Sequence, residues 1–255
     1  MVKKIGFSSL YRWWTPSPGK SAGDSYIFNI GKNDPLFADR FKGLRAKFEY
    51  KTDMLNFRLV GVTSSIAGEG KTLASAFLAN SMALTGRHKV LLVDTDIRKA
   101  DLTRGLSIPR SPGLTEHLMG YAPLKDIVRD SHVPGLKLVA AGAEGKSPAD
   151  LFAGDAVRVF LKEVRERFDI VLFDTPPVLA VADAVTLRDR LDAFVFIFRA
   201  SYTPVSMFRQ ATEEIGEKKI LGVVVNAVEP KPKEYADKYY GTYYNQQPPD
   251  AESVA

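Results

Sequence analysis

Gly70-Lys71-Thr72 is the part of this sequence best equipped to do chemistry. It closes the stretch LVGVTSSIAGEGKT (59–72), where an apolar, β-prone run stops at a loop of small residues and leads into the helix-forming LASAFLANSMAL. A strand, a tight loop and a helix N-terminus together cradle a polyphosphate. Loop N–H groups point inward, the helix end adds partial positive charge, and the lysine reaches the outer phosphates. The Thr72 hydroxyl is placed for the Mg²⁺ that travels with a nucleotide. On this reading Ser65, Ala67, Gly68, Glu69, Gly70, Lys71, Thr72 and Leu73 contact the nucleotide. Ser65 stands where the strict G-x-x-x-x-G-K-[ST] pattern has its first glycine, so the pattern alone is not met.

Two later segments supply carboxylates. In KVLLVDTDIRKADL (89–102), the run Val90 to Val93 reads as a buried parallel strand with Asp94 and Asp96 just past its carboxyl end. Alternation puts both aspartates on one side. In DIVLFDTPP (169–177), the apolar run Ile170 to Phe173 delivers Asp174 in the same way. Ligands of open α/β sheets bind beyond the carboxyl ends of the strands, so these three strand ends describe one pocket.

These segments carry a resemblance. SSIAGEGKT, VLLVDTDIRKADL and VLFDTPPVLAVADA resemble the three nucleotide motifs of the bacterial tyrosine kinases of capsule and exopolysaccharide synthesis. Those kinases belong to a wider P-loop group with the cell-division and plasmid-partition ATPases. Partition-type relatives carry a lysine where this chain has Ile66. EGKT, the DxDxRK run and DTPPV followed by Asp183 favour the kinase branch. The resemblance spans roughly residues 34–245. It implies MgATP as phosphoryl donor and Lys71, Asp94, Asp96 and Asp174 as the catalytic set. Thr72 would ligate Mg²⁺, with Asp174 directly or through water. Asp94 or Asp96 would orient or deprotonate a phenol while the other supports the metal; the sequence does not say which. Asn226 matches where relatives set an amide against the purine base. The resemblance also implies a separate membrane-bound polysaccharide co-polymerase as activator, recruiting a cytoplasmic protein to the inner face of the membrane.

The resemblance also implies phosphoacceptors in the tail. Tyr235, Tyr239, Tyr240, Tyr243 and Tyr244 are half of the chain's 10 tyrosines, in EYADKYYGTYY between Pro230, Pro232 and Pro248, Pro249. Few aliphatic residues stand there to build a core, and flanking prolines argue against a buried strand. In the family such a cluster is phosphorylated by a neighbouring subunit. The competing reading is an ATP-driven positioning or assembly switch in which the tail is a docking peptide; a nucleotide-binding scaffold with feeble catalysis is a third.

The rest of the chain positions these groups. Residues 1–33, with basic residues, Trp13 and Trp14 side by side and a Pro/Ser/Gly stretch, read as a flexible extension; 34–230 as the ATPase or kinase domain; 231–255 as the tail. Residues 35–50 read as an amphipathic helix with Leu36, Phe37, Phe41, Leu44 and Phe48 at helical spacing. The family's E-x-x-R-x-x-R ring motif would fall on Asp39, Lys42 and Arg45, and self-association is expected through this helix and the tail. Arg98 and Lys99 add positive charge near the predicted phosphates. A strand is expected over 136–142, one helix from Ser147 as N-cap and Pro148 to Phe168, another over 178–190, a strand over 193–200, a helix over 205–218 and a last strand over 220–227. Alternating strands and helices make a mostly parallel sheet with helices on both faces.

Composition narrows the class. With 255 residues, 45% of them hydrophobic, the chain can bury one sizeable α/β core. It has 0 cysteines, which excludes disulfides and iron–sulfur chemistry. A net charge of +5 is too small to call for nucleic acid. No apolar run approaches the ~18–20 residues of a membrane span, and no secretory signal is evident, so a cytosolic protein is expected. His88, His117 and His132 share no metal-ligand spacing.

Overall fold

The computed structural model describes residues 35–145 and 147–228, with side chains from Asp39 onward. The N-terminal extension with Trp13 and Trp14 and the tail with its five tyrosines lie outside the described residues. In chain order the elements are α1 (Pro35–Leu55), β1 (Leu59–Ser64), α2 (Lys71–Ala83), β2 (Val90–Asp94), α3 (Asp101–Gly105), α4 (Leu114–Leu118), α5 (Leu124–Ile127), β3 (Val128–Asp130), β4 (Leu136–Val139), α6 (Pro148–Ala153), α7 (Asp155–Arg167), β5 (Ile170–Asp174), α8 (Asp183–Leu187), β6 (Ala193–Arg199), α9 (Val205–Ile215), a 3-10 turn (Glu217–Lys219) and β7 (Ile220–Asn226).

Every residue of β1, β2 and β5 is buried. Such unbroken apolar runs form central parallel strands, because both faces of the sheet are covered. The order is β3-β4-β2-β5-β1-β6-β7, and among these pairs only β3–β4 is antiparallel. Successive residues feed opposite cores. Val60, Leu92 and Leu172 pack with Phe48, Phe77, Leu78 and Met82 of α1 and α2. Their neighbours Leu59, Leu91 and Val171 pack with Phe152, Phe160, Val164 and Ile215 on the other face. In α7 the buried Val157, Phe160, Leu161 and Val164 recur at the spacing that turns one stripe inward. Gly61 has a packing reason: a Cβ there would lie 2.4 Å from the Phe194 ring.

The expected mostly parallel sheet with helices on both faces is what forms, with local corrections. The helix expected over 148–168 is two helices, parted at Gly154, whose ψ of 168 is extended. Ser147 and Pro148 occupy the N-cap and first helical positions, but the Ser147 hydroxyl makes no capping bond. The helix expected over 178–190 shrinks to Asp183–Leu187. The strand expected over 136–142 stops at Val139. The first helix runs past residue 50 to Leu55.

Candidate active site

Register places the acids. Asp174 pairs with Val62 of β1 on one side and with Asp94 of β2 on the other, so three carboxyl ends converge. Chain order breaks around β1, which sits between β5 and β6, and this is where a doubly covered sheet opens a crevice. The loop from β1 enters α2 there. Gly68 and Gly70 have φ of +88 and +95, values that L side chains rarely adopt, and a Cβ on Gly70 would meet Asn226 Nδ2 at 2.3 Å. No side chain caps α2, so its first N–H groups face the crevice and can take anionic oxygens.

A cleft of about 210 Å³ is lined by Ala67, Gly68, Gly70, Lys71, Thr72 and Leu73, with Asp96, Lys99, Asp101 and Pro177 opposite. Lys71 Nζ is buried 3.4 Å from Asp96 Oδ2, 3.8 Å from Asp174 Oδ1 and 3.2 Å from Thr72 Oγ1. Burial works against its charge, but Asp174, Asp96, Asp94 and Asp101 outweigh that and hold its pKa above the ordinary value. It is an ammonium at every physiological pH.

The three aspartates differ in their partners. Asp96 lines the cleft, and its Oδ1 accepts a hydrogen bond from Lys99 N at 3.2 Å. Asp174 is fully buried, and neither oxygen has a hydrogen-bond partner. Burial pushes its carboxyl up to about 6; Lys71 and the nearby Thr72 and Ser75 hydroxyls pull the other way, and Asp96 adds to the rise. Asp94 is equally buried but saturated. Its Oδ2 accepts from Thr103 N at 2.9 Å and Thr103 Oγ1 at 2.7 Å, and its Oδ1 from Asp96 N at 3.1 Å. Burial, then the neighbouring Asp174, push Asp94 up to about 7 against the Thr103 bonds.

Orphaned carboxylate oxygens beside a hydroxyl and an ammonium fit a hydrated Mg²⁺. Among the described residues no group of three or more His, Cys, Asp or Glu makes a self-sufficient metal site. Mg²⁺ takes one or two carboxylates and completes its shell with substrate phosphates and water, so it needs no such group.

Other expected residues lie around the cleft rather than in it. Ser65 is buried, its hydroxyl without a partner and its carbonyl accepting from Leu179 N at 3.1 Å. Glu69 turns its carboxylate away from the cleft, so of its groups only the backbone can serve the phosphates. The Asn226 amide, expected against a purine, donates to the Glu69 carbonyl at 2.8 Å, and its Oδ1 accepts from Ala227 N. Of the two basic neighbours, Lys99 lines the cleft while Arg98 Nε pairs with Asp183 Oδ2 at 3.3 Å. Asp101 and Pro177 were not anticipated. Both follow motif residues by a few positions and are brought in by the turns after β2 and β5. On α1, exposed Asp39 and Lys42 pair with each other at 2.8 Å. Arg45 is spent inside the chain, donating to Ser81 O at 3.0 Å beside Glu49.

A parallel sheet whose first strand runs through a glycine turn into a lysine-headed helix, under aspartates from two adjacent strands, defines a P-loop nucleotide-hydrolase fold. The model of the AAA domain family matches residues 58–195, more than half of the chain. The tyrosine-protein kinase YwqD of Bacillus subtilis is 31% identical over 82% of this chain and 89% of its own length. EpsB of Ralstonia solanacearum, assigned as a tyrosine-protein kinase, is 32% identical over 87% of this chain, which spans only 31% of that relative. Among solved structures, the VpsO kinase domain superposes with a TM-score of 0.69 at 29% identity, covering 77% of this chain and 98% of that domain. The chain belongs to the tyrosine-protein kinase family within the P-loop AAA-type domains.

Proposed function

We propose that this chain is an ATP-dependent protein-tyrosine autokinase that phosphorylates the C-terminal cluster Tyr235, Tyr239, Tyr240, Tyr243 and Tyr244 of a neighbouring copy. The observation that carries the reading is Lys71 Nζ, buried between Asp96 and Asp174 at 3.4 and 3.8 Å at the open N-terminus of α2. Phosphoryl transfer asks for positioning and charge neutralisation rather than covalent chemistry, and these groups supply both.

The loop N–H groups and Lys71 hold the β- and γ-phosphates and neutralise charge that moves to the bridging oxygen. Thr72 and Asp174 would hold Mg²⁺, which, when bound, neutralises the same phosphates and aligns them. Asp96, open to the cleft, takes the phenolic proton as the tyrosine oxygen bonds to the γ-phosphorus and ADP departs. Asp94, spent on Thr103 and Asp96 N, supports the turn that carries Asp96.

Residues 34–230 form the kinase domain on this reading, between a flanking extension and the acceptor tail. Each phosphate adds about −1.5 to −2 charges to that tail at neutral pH. Several would repel one another and the acidic cleft, weakening docking and subunit contact. The names of the relatives support a role in exopolysaccharide or capsule synthesis. No helix of the described residues is long and apolar enough to cross a membrane. Recruitment and activation by a membrane-bound polysaccharide co-polymerase complete the reading.

The test is incubation of purified protein with labelled MgATP and mapping of the label by mass spectrometry. Label is expected on the tail tyrosines, absent in Lys71→Met. It should reappear on Lys71→Met when that variant is mixed with active protein whose five tail tyrosines are phenylalanine. ADP release without protein label would replace the kinase with an ATP-driven switch.

A further inference from the structure

The phosphate loop is gripped by residues that do not line the cleft. The geometry points to Glu69, Thr203 and Arg199 as positioning residues that set the loop for nucleotide, an inference resting on the nucleotide-binding half of the reading above. Glu69 is 0% exposed. Its Oε2 accepts from Ile66 N at 2.7 Å, and its Oε1 from Thr203 Oγ1 at 2.6 Å and Arg199 N at 3.3 Å. One buried carboxylate therefore ties the start of the loop to the junction between β6 and α9.

The same junction takes hold of the loop carbonyls. Arg199 Nη1 donates to Gly68 O at 2.9 Å, and its guanidinium lies 4.6 Å from the centre of the Tyr202 ring. The Tyr202 hydroxyl donates to Ala67 O at 3.3 Å, and Asn226 Nδ2 to Glu69 O at 2.8 Å. Three successive carbonyls, of residues 67, 68 and 69, are thus bonded by side chains that do not line the cleft. In a trans peptide the N–H points opposite to the C=O of the same unit. Fixing those carbonyls aims the N–H groups of Gly68, Glu69 and Gly70 at the place the phosphates must occupy. By charge alone, an anion beneath a polyphosphate site weakens binding. The contribution of Glu69 is therefore geometric, holding donors in place before the ligand arrives.

The test uses the full chain and a fluorescent ADP analogue with Mg²⁺. Thr203→Val keeps the volume and removes one donor from a buried carboxylate, so Kd should rise about tenfold. Thr203→Ser should restore binding. With ATP, KM should rise in Thr203→Val while kcat at saturation holds, a split that loss of folding would not give. If Thr203→Val does not fold, Tyr202→Phe removes only the bond to Ala67 and should weaken binding roughly threefold. Wild-type Kd in the folded variants, no rescue by serine, or a fall in kcat at constant KM would overturn the clamp. Wild type that binds the probe yet labels no tyrosine overturns the kinase and leaves the clamp standing. Wild type that binds no probe overturns both.

Discussion

The carboxyl ends of β2 and β5 lie side by side, Asp94 opposite Asp174 in register, and both aspartates are fully buried after nearly identical apolar runs. One carboxylate has three donors and the other has none. A buried carboxylate with saturated oxygens braces a backbone; one left empty beside a lysine and a threonine is held for something that arrives later. The difference arises after the strands end. The chain leaves β2 in a turn that brings Thr103 back onto Asp94, whereas the segment after β5 runs through Pro176 and Pro177 and supplies Asp174 with no donor.

Exchanging each acid for its amide breaks the comparison most sharply. Asp174→Asn should lower MgATP-dependent labelling about 10²- to 10³-fold, a size typical of removing one charge-stabilising group. It should cost the ligand-free protein little stability, because no hydrogen bond to Asp174 is lost and Lys71 keeps Asp96 at 3.4 Å when its 3.8 Å partner becomes neutral. Asp94→Asn should cost far more stability. It loses part of a three-donor network, about 3 kcal/mol, or roughly 6–12 °C in Tm by calorimetry. Equal losses of stability in the two variants would erase the distinction.

Thr103→Val isolates the brace. The hydroxyl gives Asp94 a 2.7 Å bond and accepts from Ala141 N at 3.1 Å, so its removal should cost about 1–3 kcal/mol in denaturant unfolding. The smallest effect is the pH response. Folding raises both carboxyls, to about 7 for Asp94 and about 6 for Asp174, above their unfolded values near pH 4. The folded chain then binds more protons across that window, so ligand-free stability falls as pH rises from about 4 to 7. Either amide variant should flatten the slope. Mg-nucleotide binding should strengthen over the same window, since a cation at Asp174 needs the carboxylate charged.

The sequence carried the parts of the site that local pattern encodes. GKT, the two strand-end acid segments and the glycine turn announce themselves because strand, loop and helix are adjacent in the chain. Asp94 and Asp96 could not be told apart, since alternation puts both on one side; only the turn beyond them, which brings Thr103 to one and the cleft to the other, separates them. Glu69 sits inside the loop, so local pattern assigns it to the nucleotide but says nothing of where its carboxylate is held. Its partners Arg199 and Thr203 lie 130 and 134 residues away, where no local signal reaches. The helix expected over 148–168 breaks at Gly154, whose extended backbone ends one helix and starts the next.

Calorimetric titration with ADP, with and without Mg²⁺, bears most directly on the central claim that Lys71, Thr72 and Asp174 form a metal-nucleotide site. Wild type should bind one equivalent, more tightly with Mg²⁺; Asp174→Asn should keep metal-free binding and lose the gain from Mg²⁺; Lys71→Met should lose binding in both. An undiminished Mg²⁺ gain in Asp174→Asn would contradict the account.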